Sequence, residues 1–237
     1  MIRAIVFDMD DTLYDEKEYV ISGYKSVDKW VKDNYKMTGF LDIASKLFHS
    51  GEREKIFNKT LDALEVTYDE NIISAMLTIY RSHDPEIQLS SEAEWVMNNL
   101  IDTVKIGLIS DGYLIPQKKK VVALKLNQKF HSIILSDHYG REYWKPSSTP
   151  YEKSCMELNC RHNECVYVGD NLHKDFITAK KLGWLTVHIN RPHGIYSNAK
   201  VSAEYKADFQ ITNLKELSSL PILRQLFKSS INKEVMQ

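Results

Sequence analysis

Apolar and polar positions alternate with two different periods along this chain. Residues 3–7 (RAIVF) form a short apolar run that ends at Asp8, the pattern of a strand buried on both faces. Residues 16–85 read differently. Apolar side chains recur there at spacings of three and four, as in Val27, Trp30 and Val31, or Ile72, Ile73, Met76, Leu77 and Tyr80, which predicts amphipathic helices. The stretch SHDPEIQLSS (82–91) breaks the pattern. Pro85 disfavours helix before it, and Ser90 or Ser91 can cap the helix that follows. Beyond it, predicted helices at 92–100, 114–126, 149–159 and 173–182 alternate with strand-like runs at 104–110, 132–136, 165–170, 185–190 and 208–212, with Gly183 placed to stop the last of these helices. The expectation is an α/β fold with a Rossmann-like parallel sheet covered on both faces. Residues 1–15 and 86–237 would form this core, and residues 16–85 an inserted all-helical unit. Because the insertion follows the first strand, it would lie over the carboxyl ends of the strands, the edge where such sheets bind ligands. The tail after about 228 is polar and is expected to fray.

Composition changes this picture little. The 237 residues carry a net charge of −1, with 43% hydrophobic and 27% charged side chains, so nothing marks a nucleic-acid or anionic-membrane partner. The basic run QKKKVVALKL (117–126) reads as a solvated helix face. No apolar run reaches the roughly 20 residues of a membrane span, and the chain begins with a strand pattern instead of a signal sequence. Cys155, Cys160 and Cys165 fit neither a zinc knuckle nor a disulfide framework and read as reduced thiols. A cytoplasmic protein, monomeric or homodimeric, is expected.

Chemistry enters with IVFDMDDTLYDE (5–16), which crowds five carboxylates at the end of a buried strand. Burying such charge costs several kcal/mol per ion unless something compensates. Other strand ends carry Ser110 and Asp111, Lys145 in the loop REYWKPSS, and Asp170 with Asp175 five residues on. In a parallel sheet all of these meet at one edge. Asp8, Asp10 and Asp170 offer the hard oxygens that Mg²⁺ prefers. A carboxylate can serve as a nucleophile that accepts a phosphoryl group, and a second one two positions on can act as general acid and base. Ser110 can donate to a phosphoryl oxygen, and Lys145 supplies fixed positive charge.

Four segments together resemble the haloacid dehalogenase superfamily: DMDDT (8–12) its D-x-D-x-T motif, LISDG (108–112) the apolar strand ending in Ser or Thr, KPSSTPYE (145–152) the Lys-Pro form of the third motif, and VGDNLHKD (168–175) the G-D-x-x-x-x-D form of the fourth. They occur in the family's order, and the helical insertion resembles its C1-type cap. The resemblance implies that Asp8 is the nucleophile and a Mg²⁺ ligand. Asp10 would be the general acid and base and would ligate metal through its carbonyl. Thr12 would brace the loop, Ser110 bind phosphate and Lys145 steady charge. Asp170 would ligate the metal, and Asp175 would ligate through water or hold Lys145. Asp111 and Gly112 would shape the loop beside the phosphate, with Asp111 counted among the substrate-binding residues.

The implied activity is a Mg²⁺-dependent phosphomonoesterase acting on a small phosphorylated metabolite. The alternatives are a phosphomutase-like phosphotransferase or a non-catalytic binding module. Asp10 argues against dehalogenation, because family dehalogenases lack that carboxylate. Asp11 and Thr12 replace the Gly-Val that mutases carry there. Intact Asp8, Asp10, Lys145 and Asp170 argue against a binding module. Other residues take ordinary readings. Asp11, Asp15 and Glu16 read as solvated turn residues, His188 as a strand-end residue and Arg191 as a loop charge. Trp30, Tyr35 and Phe40 read as insertion core, while Tyr14, Tyr19 and Tyr24 are candidates to touch substrate.

Overall fold

The computed structural model describes residues 1–192, 194 and 200–228. Six strands form one sheet: β1 (Ala4–Phe7), β2 (Lys105–Ser110), β3 (Ser132–Leu135), β4 (Cys165–Gly169), β5 (Leu185–Ile189) and β6 (Phe209–Ile211). Their order is β3-β2-β1-β4-β5-β6, and every pairing is parallel. The expected α/β class and parallel sheet are therefore present. Alternation within β1 shows how the core divides. Ile5 and Phe7 join one apolar cluster with β2, β4 and β5 side chains, while Ala4 and Val6 point to the other face, against Tyr151, Cys155 and Phe176. Helices α5 (Ser91–Asn99), α6 (Leu114–Ala123), α7 (Thr149–Leu158) and α8 (Ile177–Lys181) supply the covering layers.

The sheet reverses direction at β1. The chain first builds outward through β2 and β3, then returns to β4 on β1's other side. A crevice opens at such a switch point, beyond the carboxyl ends of the strands. Asp8 sits there, with its backbone N–H donating to the Val168 carbonyl at 2.8 Å, so the ladder continues up to the carboxylate.

Between β1 and α5 come α1 (Glu16–Tyr35), α2 (Phe40–His49), α3 (Ile56–Ala63) and α4 (Glu70–Ser82). On α1, Val20, Tyr24, Val27 and Val31 form one buried stripe, packed on Phe40, Phe57, Leu61 and Met76 in a cluster of their own. Asp15 caps α1 and Asp69 caps α4 through side-chain acceptors. Ser90 caps α5 as expected, and Gly183 follows Leu182, the C-cap of α8, at φ +87°. Phe40 is core, but Tyr35 is exposed and packs edge-on to a half-buried Trp30. The helix expected at 173–182 is shorter, because residues 172–176 form a turn that aims side chains inward. The three cysteines are free thiols. Among the described residues no helix is long and apolar enough to cross a membrane. The tail expected to fray, 229–237, lies outside the described residues.

Candidate active site

The loop after β1 leaves the sheet through Asp11, which adopts a left-handed backbone at φ 51°. The Leu13 N–H returns to the Met9 carbonyl at 2.9 Å and closes the turn. Arg191, just past β5, pins this loop from outside. Its Nε donates to the Asp11 carbonyl at 3.1 Å and its Nη2 to the Thr12 carbonyl at 2.8 Å, while Nη1 pairs with the buried Glu92. Glu92 in turn accepts from the Leu214 N–H at 2.8 Å. Arg191 is thus a structural clamp on the acidic loop, not the free loop charge the sequence suggested. Asp11 is buried rather than solvated. Asp15 keeps its turn role as the α1 cap.

Lys145 is fully buried and binds Asp8, with Asp175 Oδ1 at 2.8 Å and the Tyr167 hydroxyl at 2.8 Å as further partners. The Lys145–Pro146 peptide is cis. Burial would lower the lysine's pKa, but the carboxylates of Asp175 and Asp8 outweigh it and hold the pKa well above the ordinary value. The Lys145 backbone N–H donates to Asp111 Oδ1 at 3.1 Å, and Lys174 meets Asp111 Oδ2 at 2.9 Å. These cations keep the Asp111 pKa low despite burial. Asp111 therefore ties the loop after β2 to Lys145 and Lys174, and it lines the cavity.

Asp8, Asp170 and Asp175 are all buried, and one carboxylate oxygen of each lies within 4.8 Å of the others. Asp175 reaches this cluster because residue 169 is glycine; a Cβ there would overlap the Asp175 carboxylate. The Asn171 N–H donates to Asp175 Oδ2 at 2.9 Å, and the Tyr151 hydroxyl donates to its carbonyl at 2.8 Å. Burial, partly offset by Lys145, pushes the Asp8 pKa up to about 7. Burial and its carboxylate neighbours push Asp170 well above the usual range. Three carboxylates against one ammonium leave excess negative charge, and an oxygen-seeking divalent cation fits that donor set.

Asp10, on the same cavity, has a separate set of partners. Its carboxylate accepts from Tyr14, from Lys120 at 2.7 Å and from Gln117 at 3.0 Å. Burial raises its pKa, but Lys120 and the hydrogen bonds overcome this and leave it below the usual range. Gln117 also donates to the Asp111 carbonyl at 2.6 Å, in space left by Gly112, whose φ is +124°. Thr12 is buried, its hydroxyl has no hydrogen-bond partner among the described residues, and its carbonyl carries the loop contact instead. Ser110 is buried at the end of β2.

A cavity of about 380 Å³ opens over Asp8, Asp10, Asp111 and Asp170. Its opposite wall comes from the helical insertion: Tyr19, Leu77, Tyr80 and Arg81. Thr12, Ser110, Lys145 and Asp175 stand behind the lining. Of the three tyrosines singled out in sequence, Tyr19 lines this cavity, Tyr14 binds Asp10, and Tyr24 packs inside the insertion. Glu16, expected to be solvated, is a lining residue whose pKa burial raises to about 8. The basic run 117–126 is not simply a solvated face: Gln117 and Lys120, three apart on α6, turn inward together. Lys120 also stands 4.1 Å above the Tyr19 ring. The three-residue spacing was the available signal for this pair. Nothing local in sequence marked Arg191, because its partners lie about 100 and 180 residues away.

Comparison with known proteins places this geometry. The haloacid dehalogenase-like hydrolase family matches residues 5–189. A glyceraldehyde 3-phosphate phosphatase of Methanocaldococcus jannaschii is 30% identical over 226 residues, covering 92% of this chain and 96% of the relative. Pyrophosphatase PpaX of Bacillus cereus is 26% identical over 236 residues, covering 96% and 99%. Among solved structures, the HAD-hydrolase YfnB of Bacillus subtilis, bound to magnesium, superposes with a TM-score of 0.65 at 16% identity over 92% of this chain and 97% of that one. A HAD family hydrolase of Deinococcus radiodurans with bound phosphate and sodium gives 0.66 at 15% identity over 96% and 99%. These two likenesses speak to the fold.

Proposed function

The chain belongs to the haloacid dehalogenase-like hydrolases and is a phosphoric monoester hydrolase, and from that premise we propose that it hydrolyses a small phosphorylated metabolite through a phosphoryl group carried on Asp8. The observation that carries this reading is the Asp8 carboxylate itself. It is held at the strand switch point by Lys145, faces the cavity and is clustered with Asp170 and Asp175.

Asp8, Asp170 and Asp175 are the side chains that would hold Mg²⁺, with the Asp10 carbonyl as the further ligand the family resemblance implies. Bound there, the ion supplies Lewis-acid neutralisation of charge on the phosphoryl oxygens. In the first half of the cycle an Asp8 oxygen attacks phosphorus, the P–O bond to the leaving group breaks, and Asp10 gives that oxygen a proton. In the second half Asp10 takes a proton from water, and the hydroxide attacks the phosphoryl-aspartate, releasing phosphate and restoring Asp8. Lys145 fixes the Asp8 rotamer and offsets charge from behind it. Tyr14, Gln117 and Lys120 fix where the Asp10 carboxyl sits, and Lys120 favours its ionised form, which suits the base half of the cycle. Residues 16–85 are read as a cap that supplies the far wall and shields the reaction from bulk water.

The test is phosphate release from p-nitrophenyl phosphate and from glyceraldehyde 3-phosphate, with Mg²⁺ and with chelator. Metal-dependent release that falls at least about 10³-fold in Asp8→Asn is expected for loss of a nucleophile. Release that persists in Asp8→Asn overturns the assignment of Asp8.

A further inference from the structure

The cations at this site are paired with carboxylates in all cases but one. Lys120 is held by Asp10, Lys145 by Asp8 and Asp175, and Lys174 by Asp111. Arg81 lines the same cavity from the last turn of α4. Among the described residues no carboxylate lies within ion-pair distance of its guanidinium. Its face is covered instead. The guanidinium carbon stands 4.2 Å over the Tyr113 ring. Tyr113 is braced edge-on by Trp144, with centroids 6.3 Å apart, and the Trp144 indole N–H donates to Asp137 at 3.1 Å.

Stacking matters for what Arg81 can bind. A guanidinium held over an aromatic ring is attracted by the ring face and forms no ion pair there, so its planar fork of N–H donors stays available. That fork matches two oxygens of a carboxylate or phosphate. The stack also restricts the side chain beforehand, so less entropy is lost when an anion arrives. Of the other insertion residues on the lining, Tyr19, Leu77 and Tyr80 offer contact area without charge, and Glu16, at the start of α1, is an acid whose pKa burial raises to about 8. The opposite wall is already occupied by the acidic cluster and its lysines.

We propose that Arg81 binds a second anionic group on the substrate, a carboxylate or a phosphate, remote from the phosphoryl group transferred at Asp8. This rests on the phosphatase reading above and narrows it. The preferred substrates carry further negative charge, in contrast to phosphate esters whose remainder is uncharged.

The experiment compares the wild type, Arg81→Gln and Arg81→Lys. Three probes are used: 2-phosphoglycolate for the carboxylate arm, pyrophosphate for the phosphate arm and p-nitrophenyl phosphate as the uncharged reference. For the charged probe that fits, KM should rise about tenfold in Arg81→Gln, as expected when a charge-assisted hydrogen bond is lost. Its kcat should hold, Arg81→Lys should recover part of the loss, and KM for p-nitrophenyl phosphate should stay within about twofold. The arm that responds identifies the group. An equal change on all three probes, or no change on any, overturns the proposal and leaves Arg81 as a brace between α4 and α6. A second readout separates this from failure of the phosphatase reading. If the wild type hydrolyses none of the probes, that reading falls. Thermal unfolding then decides the Arg81 assignment. It stands if 2-phosphoglycolate or pyrophosphate protects the wild type more than inorganic phosphate does and Arg81→Gln removes the difference. It falls if the three ligands protect alike.

Discussion

The two walls of the cavity are built by opposite rules. On the sheet side the charged groups are placed by the backbone: Asp8 follows β1, Asp170 follows β4, and Lys145 reaches Asp8 from the loop after β3. On the insertion side, among the described residues, the lining is Tyr19, Leu77, Tyr80 and Arg81, side chains on helix faces with one cation that has no ion-pair partner, and Glu16 where α1 begins. In the function proposed above, the first wall supplies the groups that hold the reacting phosphoryl. In the same proposal the second wall grips the remainder of the substrate. Chemistry and selection are, in that proposal, separated into pieces that can change independently.

The sharpest way to break this comparison is to remove the charge that the sheet wall depends on. In Lys145→Met, Asp8 and Asp175 remain buried beside Asp170 without the ammonium that binds both. Breaking a buried ion pair from one side costs about 3–5 kcal/mol. The loss should appear in urea unfolding with chelator present and shrink when Mg²⁺ is added, because the ion takes over the compensation. The same change at Lys120, whose ion-pair partner is Asp10, should cost less, about 1–2 kcal/mol, because Asp10 keeps its hydrogen bonds from Tyr14 and Gln117. Equal losses at the two lysines would contradict the view of Asp8, Asp170 and Asp175 as one coupled cluster.

Metal binding sharpens the same point at a smaller scale. Three carboxylate oxygens within 4.8 Å repel one another until a cation arrives. Mg²⁺ at 100 times its dissociation constant should stabilise the folded chain by about 2.7 kcal/mol. Asp170→Asn should abolish most of that gain while raising the metal-free stability, since one repelling charge is gone. Asp42→Asn, on the insertion away from the site, is the control and should leave the gain intact. A wild type that melts at the same temperature with and without Mg²⁺ would remove the metal role from these residues.

What the sequence made legible follows the same division. Strand ends are set by short apolar runs, and a parallel sheet brings those ends to one edge, so the sequence alone groups Asp8, Ser110, Lys145 and Asp170. The inserted helices were legible from period alone. The support around the catalytic groups was not. Gln117 and Lys120 sat inside a basic run that resembles an ordinary wet helix, and only the burial of one face of α6 distinguishes them. Arg191 holds the acidic loop by hydrogen bonds to backbone carbonyls, which leave no mark in side-chain patterning. Arg81 and Glu16 became lining residues only once the insertion was placed over the sheet. Contacts made across the cavity depend on how two units meet, and no local pattern carries that.

Glu16 tests the boundary between the two walls, since it opens α1 yet faces the acids of the sheet. Burial first, then Asp10, raises its pKa from an ordinary 4.5 to about 8. Between these two values the folded chain holds a proton that the unfolded chain has lost. Stability must then fall as pH rises through that window, and the full penalty is present above pH 8. Glu16→Gln carries no such proton and escapes the fall. Its advantage over the wild type should therefore be small at pH 5 and grow toward pH 8.5. A shift of this size would correspond to nearly 5 kcal/mol at about 1.4 kcal/mol per pH unit, but Glu16 is only half-buried and cavity water screens it, so roughly 1–2 kcal/mol is expected. Asp8 and Asp170 titrate in both proteins, so the difference between their unfolding curves, measured in chelator at the two pH values, isolates Glu16. A difference that does not change with pH would mean that Glu16 faces water, and that the insertion stands further from the sheet than the cavity requires.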